Sequence, residues 1–135
     1  MSYISLKEKS RYLKEVGKGA GRDLREDEIT TCEDFANVYI EGYLGKSWAS
    51  DSVPKMIEQI ADMLASSRAW IFLHSGQVPK NNEYGKELKA EAKEMLKEII
   101  KGVLGLKMPD GSWDSDYPGD KNKEEKNPDD LEILI

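Results

Sequence analysis

One cysteine and one histidine stand in 135 residues. Cys32 therefore has no partner for an internal disulfide, the usage expected of a chain made in a reducing compartment. No HExxH or CxxC spacing occurs, so a zinc site is not expected. No apolar run approaches the ~20 residues a membrane span needs. The opening MSYISLKEKS lacks the apolar core of a signal peptide. Gly17, Gly19 and Gly21 follow no apolar strand and match no G-x-x-x-x-G-K-[ST] pattern, so they read as a loop, one that orders on meeting a partner in its functional version. Asp110, Asp114, Asp116 and Asp120 miss the EF-hand pattern and offer calcium only a loose set of oxygens. No pair of carboxylates stands out for acid–base work. His74 falls at a helix end, where capping is its plain role, and only chance packing would join it to Cys32 as a dyad. These absences point to a non-enzyme without cofactor or metal.

The formal charge of −6 is unevenly placed. Residues 1–108 hold 17 basic and 17 acidic side chains, whereas residues 109–135 hold 3 lysines and 9 acids. A neutral body with an acidic end argues against a high-affinity nucleic-acid binder, which shows a basic surface. The division also sets the expected organisation: a helical domain over 1–108 and an acidic tail over 109–135.

The longest periodic apolar stretch is Val53–Ser75. Pro54 suits a first helical turn, with Asp51 and Ser52 upstream as capping residues. Spacing of 100° per residue predicts a helix over 54–74 with Ile57, Ile60, Ala61, Leu64, Ile71 and Phe72 inward. Lys55, Glu58, Gln59, Asp62 and Ser66 fall on the opposite face. Met56, Met63 and Trp70 recur every seven residues on the shoulder of the apolar face. A neighbouring helix covers such a stripe, or a second subunit does. Arg68 interrupts the apolar face and needs a partner, for which Asp34 and Glu41 are candidates; a bridge to another subunit is the alternative.

Three further helices are expected. Ser5-Leu6-Lys7-Glu8 fits a capping box and opens a short helix that carries Leu13 and Val16 inward to Gly17. Arg22–Glu28 reads as a charged connector. Thr30-Thr31-Cys32-Glu33 is a second box, opening a helix with Cys32, Phe35, Ala36, Tyr39, Ile40 and Tyr43 on one face and ending at Leu44-Gly45. Trp48 in the following linker caps the core. After a turn-rich link at 77–82, residues 83–103 form the last helix, with Tyr84, Leu88, Ala92, Met95, Leu96, Ile99 and Val103 inward. Its polar face splits by charge: Lys86, Lys89, Lys93, Lys97 and Lys101 on one flank, Glu87, Glu91, Glu94 and Glu98 on the other. Such a face is either solvated, with i,i+3 pairs such as Glu94–Lys97, or it meets the opposite edge of the next copy in a head-to-tail ring. The fold class is thus all-α: a small bundle of about four helices with an extended, partly disordered acidic tail. The tail ends on Leu131-Glu132-Ile133-Leu134-Ile135, an apolar terminus that packs back on its own domain or adds to a neighbouring chain.

The order of these elements resembles the small helical head–tail connector (adaptor) proteins of tailed phages and prophages, particularly the Mu-like prophage group. The resemblance is carried by Tyr3-Ile4-Ser5-Leu6, by Tyr39-Ile40-Glu41-Gly42-Tyr43-Leu44, and by Val53-Pro54 with Ile57, Ile60-Ala61 and Leu64-Ala65. Leu96, Ile99 and Gly102 complete it, and it covers most of 1–108. It implies a virion protein, made in the host cytoplasm, that docks as a ring of about a dozen copies beneath the portal protein. The next head-completion or tail protein would dock on that ring, with DNA only passing through and no membrane involved. Met56, Met63, Trp70, Arg68, Lys93, Lys97, Lys101, Glu87, Glu94 and Glu98 are the candidate subunit-interface residues. Leu131, Ile133, Leu134 and Ile135 are the candidate tail-docking residues. Two readings outside that family stay open. One is a small acidic regulatory or inhibitor protein that covers a basic protein surface; the other is a helical subunit of an enzyme, or a weak enzyme built around His74.

Overall fold

A computed structural model describes residues 2–74 and 83–119. Among these the chain is all-helical: α1 (Leu6–Lys9), α2 (Leu13–Val16), α3 (Glu26–Leu44), α4 (Lys55–Leu73) and α5 (Tyr84–Ile100). The three long helices form a small bundle with α4 between α3 and α5, and the two one-turn helices lie across its side.

Helix α4 is the centre of the core. Ile57, Ile60, Ala61, Met63, Leu64, Ala65 and Ala69 are fully buried in it. Ala61, Ala65, Ser66 and Ala69 are small, which lets neighbouring backbones come close. At Gly85 the backbone of α5 lies against the Trp70 side chain, and a Cβ there would stand 2.5 Å from Trp70 Cγ. Met63 and Trp70 are therefore covered by the chain's own helices, the first of the two readings of that stripe. Ile71, expected inward, is 49% exposed, whereas Leu73 of the same turn is buried.

The expected polar face of α4 is only partly solvated. Asp62 and Ser66 are buried. Asp62 accepts hydrogen bonds from the Ser10 hydroxyl, from Arg11 N–H at 2.8 Å and from the Ser66 hydroxyl at 3.1 Å. A buried carboxylate is tolerated only when its lone pairs are met by donors. Meeting them breaks the expected single N-terminal helix in two. Ser10 is extended (φ −69°, ψ 134°), and its hydroxyl also accepts from Leu13 N–H at 3.0 Å. Neither expected capping box forms. Ser5 caps with no side-chain bond; instead Leu6 N–H donates to Glu33 of α3 at 2.9 Å. Helix α3 starts four residues before the expected box, and Thr30 and Thr31 bond back to the Glu26 and Asp27 carbonyls. Its start is held by Glu28, which accepts from Arg25 N–H at 3.0 Å and from both Arg22 Nη atoms at 2.8 and 3.0 Å. Arg22 also donates to the Phe72 carbonyl at 3.0 Å, so the charged connector latches the start of α3 to the end of α4.

The other end of α3 follows expectation. Gly45 takes φ 66°, and its N–H bonds the Glu41 carbonyl at 2.8 Å. Trp48 is buried edge-on to Tyr3, with ring centroids 6.0 Å apart. Two expectations for α5 change: it ends at Ile100, and Val103 is 57% exposed rather than inward.

The expected boundary at 108–109 moves. Residues 101–119 fold back on the bundle as an ordered loop in which Lys107 and Trp113 pair as an antiparallel bridge. Leu106 is fully buried and Asp114 nearly so. The loop pays its backbone bonds internally: Leu106 N–H to Tyr117 O, Asp114 N–H to Leu106 O and Met108 N–H to Ser112 O, each 2.7 Å. Residues 109–119 thus belong to the body, not to a tail. The expected link at 77–82 and the rest of the tail, including Leu131–Ile135, lie outside the described residues.

Two outcomes are expected. Gly85→Ala should destabilise the fold by about 1–3 kcal/mol in urea titration, because the overlap with Trp70 outweighs the ~1 kcal/mol that alanine gains over glycine in a helix. The Arg22 guanidinium, with Arg25 N–H, lowers the Glu28 carboxyl to about 2. A carboxyl lowered in the folded state contributes stability above its unfolded value near 4.5 and loses it as pH falls toward 2. Glu28→Gln should lower the urea midpoint at neutral pH and flatten its fall across that acid window.

Candidate functional site

The reactive-looking side chains resolve into structural roles. Burial pushes the Cys32 thiol up to about 12, so no thiolate is present at neutral pH. His74 is the C-cap of α4 and its Nε2 lies 2.9 Å from the Val16 carbonyl, tying α4 to α2. Asp114, considered for a loose calcium site, points inward to a lysine. Lys46 Nζ lies 2.9 and 2.8 Å from its two oxygens and 2.8 Å from Asp116. Trp48 Nε1 and the N–H groups of Asp116 and Tyr117 also donate to Asp114. Burial raises this carboxyl, but the bonds from Lys46, Asp116 N–H and Trp48 outweigh it and hold it below the usual range. Tyr117 donates to the Leu44 carbonyl at the end of α3. This knot holds the 101–119 loop to the bundle. Asp110 closes its own turn through Ser112. Among the described residues no cluster of His, Cys, Asp and Glu is placed to hold a metal ion.

Arg68 does not meet Asp34 or Glu41 in an ion pair among the described residues. Its guanidinium lies over Phe35, with Cζ 4.9 Å from the ring centroid. Lys89 of α5 lies 5.9 Å from the same centroid. Phe35 begins a half-buried aromatic row on α3 that continues through Tyr39, 5.8 Å away, to Tyr43, 6.3 Å further and nearly parallel to Tyr39. The charge on Arg68 is thus placed against a ring face, an interaction sequence spacing did not indicate.

The candidate interface residues separate into two groups. Met63 is fully enclosed and offers nothing to a neighbour; Trp70 is half-buried against Gly85, and Arg68 against Phe35. The α5 charges behave differently. Lys93, Lys97, Lys101, Glu87 and Glu94 are exposed and Glu98 is half-exposed. Among the described residues no ion pair within 4 Å involves any of them, and the expected Glu94–Lys97 pair is not formed. The outer face of α5 therefore carries parallel positive and negative edges whose charges are not satisfied by each other.

The ordered loop creates a surface the sequence did not indicate. Met56, at the start of α4, and Met108, Pro109 and Trp113 of the loop line a groove of ≈ 440 Å³, with Lys55 and Lys107 at its edge. Trp113 is 43% exposed. Met56 is the one member of the expected methionine–tryptophan stripe that reaches such a surface. The signal was legible only in part: a tryptophan among aspartates is unusual in a solvated segment, but Met56, which completes the groove, lies more than fifty positions upstream.

Compared with protein-family models, with curated proteins and with solved structures, the chain matches none.

Removing the Asp114 carboxylate leaves the Trp48 indole N–H and the Lys46 ammonium without their acceptor. Asp114→Ala should cost about 2–4 kcal/mol in urea unfolding. It should also raise hydrogen exchange across 101–119 while α4 amides keep their protection.

Proposed function

We propose that this chain is a structural head–tail connector of a tailed phage or prophage, acting by assembly rather than catalysis. The observation that carries the reading is the outer face of α5. Its Lys93/Lys97/Lys101 and Glu87/Glu94/Glu98 edges are solvent-facing and lack ion pairs among the described residues. Opposite edges on one helix are self-complementary between copies related by rotation, which is the heterologous contact that closes a ring. A body whose charges balance over 1–108 suits a channel through which DNA passes without being held. The partners are then the portal, the next head-completion or tail protein, and further copies of this chain.

The acidic inhibitor reading is weaker on one count. Asp114 of the acidic segment is buried against Lys46, so it is not offered to a basic partner.

The test is to mix the purified protein with the portal of the same phage or prophage and examine the complex by light scattering and electron microscopy. A portal bearing a stoichiometric extra ring is expected. Lys93→Glu with Lys97→Glu should prevent the ring, as should Glu87→Lys with Glu94→Lys. Combining the two reversals should restore it, since the edges again match. Failure of the wild-type chain to associate with the portal overturns the proposal. Indifference of the ring to both reversals overturns the role given to α5.

A further inference from the structure

We propose that the groove between the start of α4 and the 105–113 loop is the seat of the chain's own C-terminal segment, Leu131–Ile135. The inference stands on the groove and the path of the chain, and does not depend on the connector reading.

The groove fits a short aliphatic segment flanked by acids. Its floor is apolar: Met56, Met108, Pro109 and the exposed Trp113. Its charged lining residues are both lysines, Lys55 and Lys107, and no carboxylate lines it. Lys107 Nζ lies 5.9 Å from the centroid of the Trp113 ring, a position from which it also reaches an incoming acid. Its volume lies within the usual range for ligand pockets, roughly 300–1,000 Å³.

The segment 120–135 has matching chemistry. It holds six acids and three lysines, and Asp129, Asp130 and Glu132 sit immediately around Leu131, Ile133, Leu134 and Ile135. An apolar cluster of this kind left in water is unfavourable at roughly 25 cal/mol per Å². A seat with an apolar floor and a basic edge removes that cost and pairs the flanking acids.

The chain's path favours its own segment over a free partner. Gly119, the last described residue, lies against Gly105, which is part of the groove wall. A Cβ on Gly105 would overlap the Pro118 carbonyl and stand 3.1 Å from Gly119 N. The chain therefore leaves the body at the edge of the groove. Eleven residues, 120–130, precede Leu131. Extended, they reach up to about 36–40 Å, so a return to the groove needs no stretching. A short tether of this kind gives an effective concentration in the millimolar range.

The competing groove among Leu6, Leu13, Leu24, Ile29 and Leu73 is of ≈ 580 Å³. It is lined by the acids Asp23 and Glu26 as well as by Lys7, Lys14 and Arg22, of which Lys7 and Arg22 are already paired, and it lies at the opposite end of α4, roughly 27 Å away at 1.5 Å per residue.

The test uses the full chain, isotope-labelled for NMR on methyl groups and indole N–H. Expected are contacts from the Ile133, Leu134 or Ile135 methyls to the Trp113 ring and the Met108 methyl, unchanged on tenfold dilution. In full-length Ile133→Asp/Leu134→Asp the Met56 and Met108 methyls and the Trp113 indole should shift. The enclosed Met63 methyl should stay in place, showing that the bundle is intact. Absence of those contacts, or a Trp113 indole indifferent to the double substitution, overturns the proposal. Contacts seen only between differently labelled molecules also overturn it, and put a second copy's segment in the groove. Neither arm contains a portal, so failure here leaves the connector proposal untouched.

Discussion

Burying Asp62 in the middle of α4 constrains the rest of the structure. The helix is enclosed by α3 and α5 on its flanks and by α2 on its remaining side, and it brings a carboxylate with it. A charge in that position is stable only if donors are delivered to it. The Ser10 hydroxyl, Arg11 N–H and the Ser66 hydroxyl supply them. Ser10 does so in an extended conformation, at the point where the N-terminal segment divides into α1 and α2. The small residues of α4 then let α3 and α5 close in, and Gly85 of α5 lies against Trp70. One polar residue in an apolar helix thus ties the break between α1 and α2 to the middle of α4.

Polar groups elsewhere fall into two populations. One is consumed inside the fold: Glu28 with Arg22, Asp114 with Lys46 and Trp48, Arg68 with the Phe35 ring. These latch the ends of the long helices and the 101–119 loop. The other population lies on the outer face of α5 with no ion pairs among the described residues. Exposed pairs contribute little to stability, so nothing in the fold requires the segregation of lysine from glutamate there. The stability of the bundle therefore does not account for the segregation of charge along α5.

Legibility in the sequence varied with the range of the interaction. The long helices were readable because they bury continuous faces: Cys32, Ala36 and Ile40 on α3, and Leu88, Ala92, Leu96 and Ile99 on α5, at their expected spacing. The Gly45 stop on α3 was readable because only glycine takes that backbone angle without strain. The capping boxes at Ser5 and Thr30 were misleading. Their local pattern is real, but Glu33 of the second box is taken by Leu6 N–H, 27 positions upstream, and α3 starts instead at Arg25, whose N–H donates to Glu28. The acidic composition of 109–119 was equally misleading, since one buried lysine–aspartate knot turns it into ordered structure. The methionine stripe was half-readable: its period was correct, but which member is enclosed and which reaches the surface depends on where α5 and the loop lie.

By itself, then, the sequence determined the helical class, the positions of the three long helices, the inward faces of α3 and α5, and the two charged edges of α5. Each of these is a property of one segment and its 3.6-residue repeat. Only the tertiary structure decided that Asp62 and Asp114 are buried and satisfied, that Arg68 lies on an aromatic ring, and that the body extends to residue 119. It also decided that Met56, Met108 and Trp113 meet in one groove. Each of these depends on contacts between residues tens of positions apart, and periodicity carries no information about which distant donor a carboxylate will find.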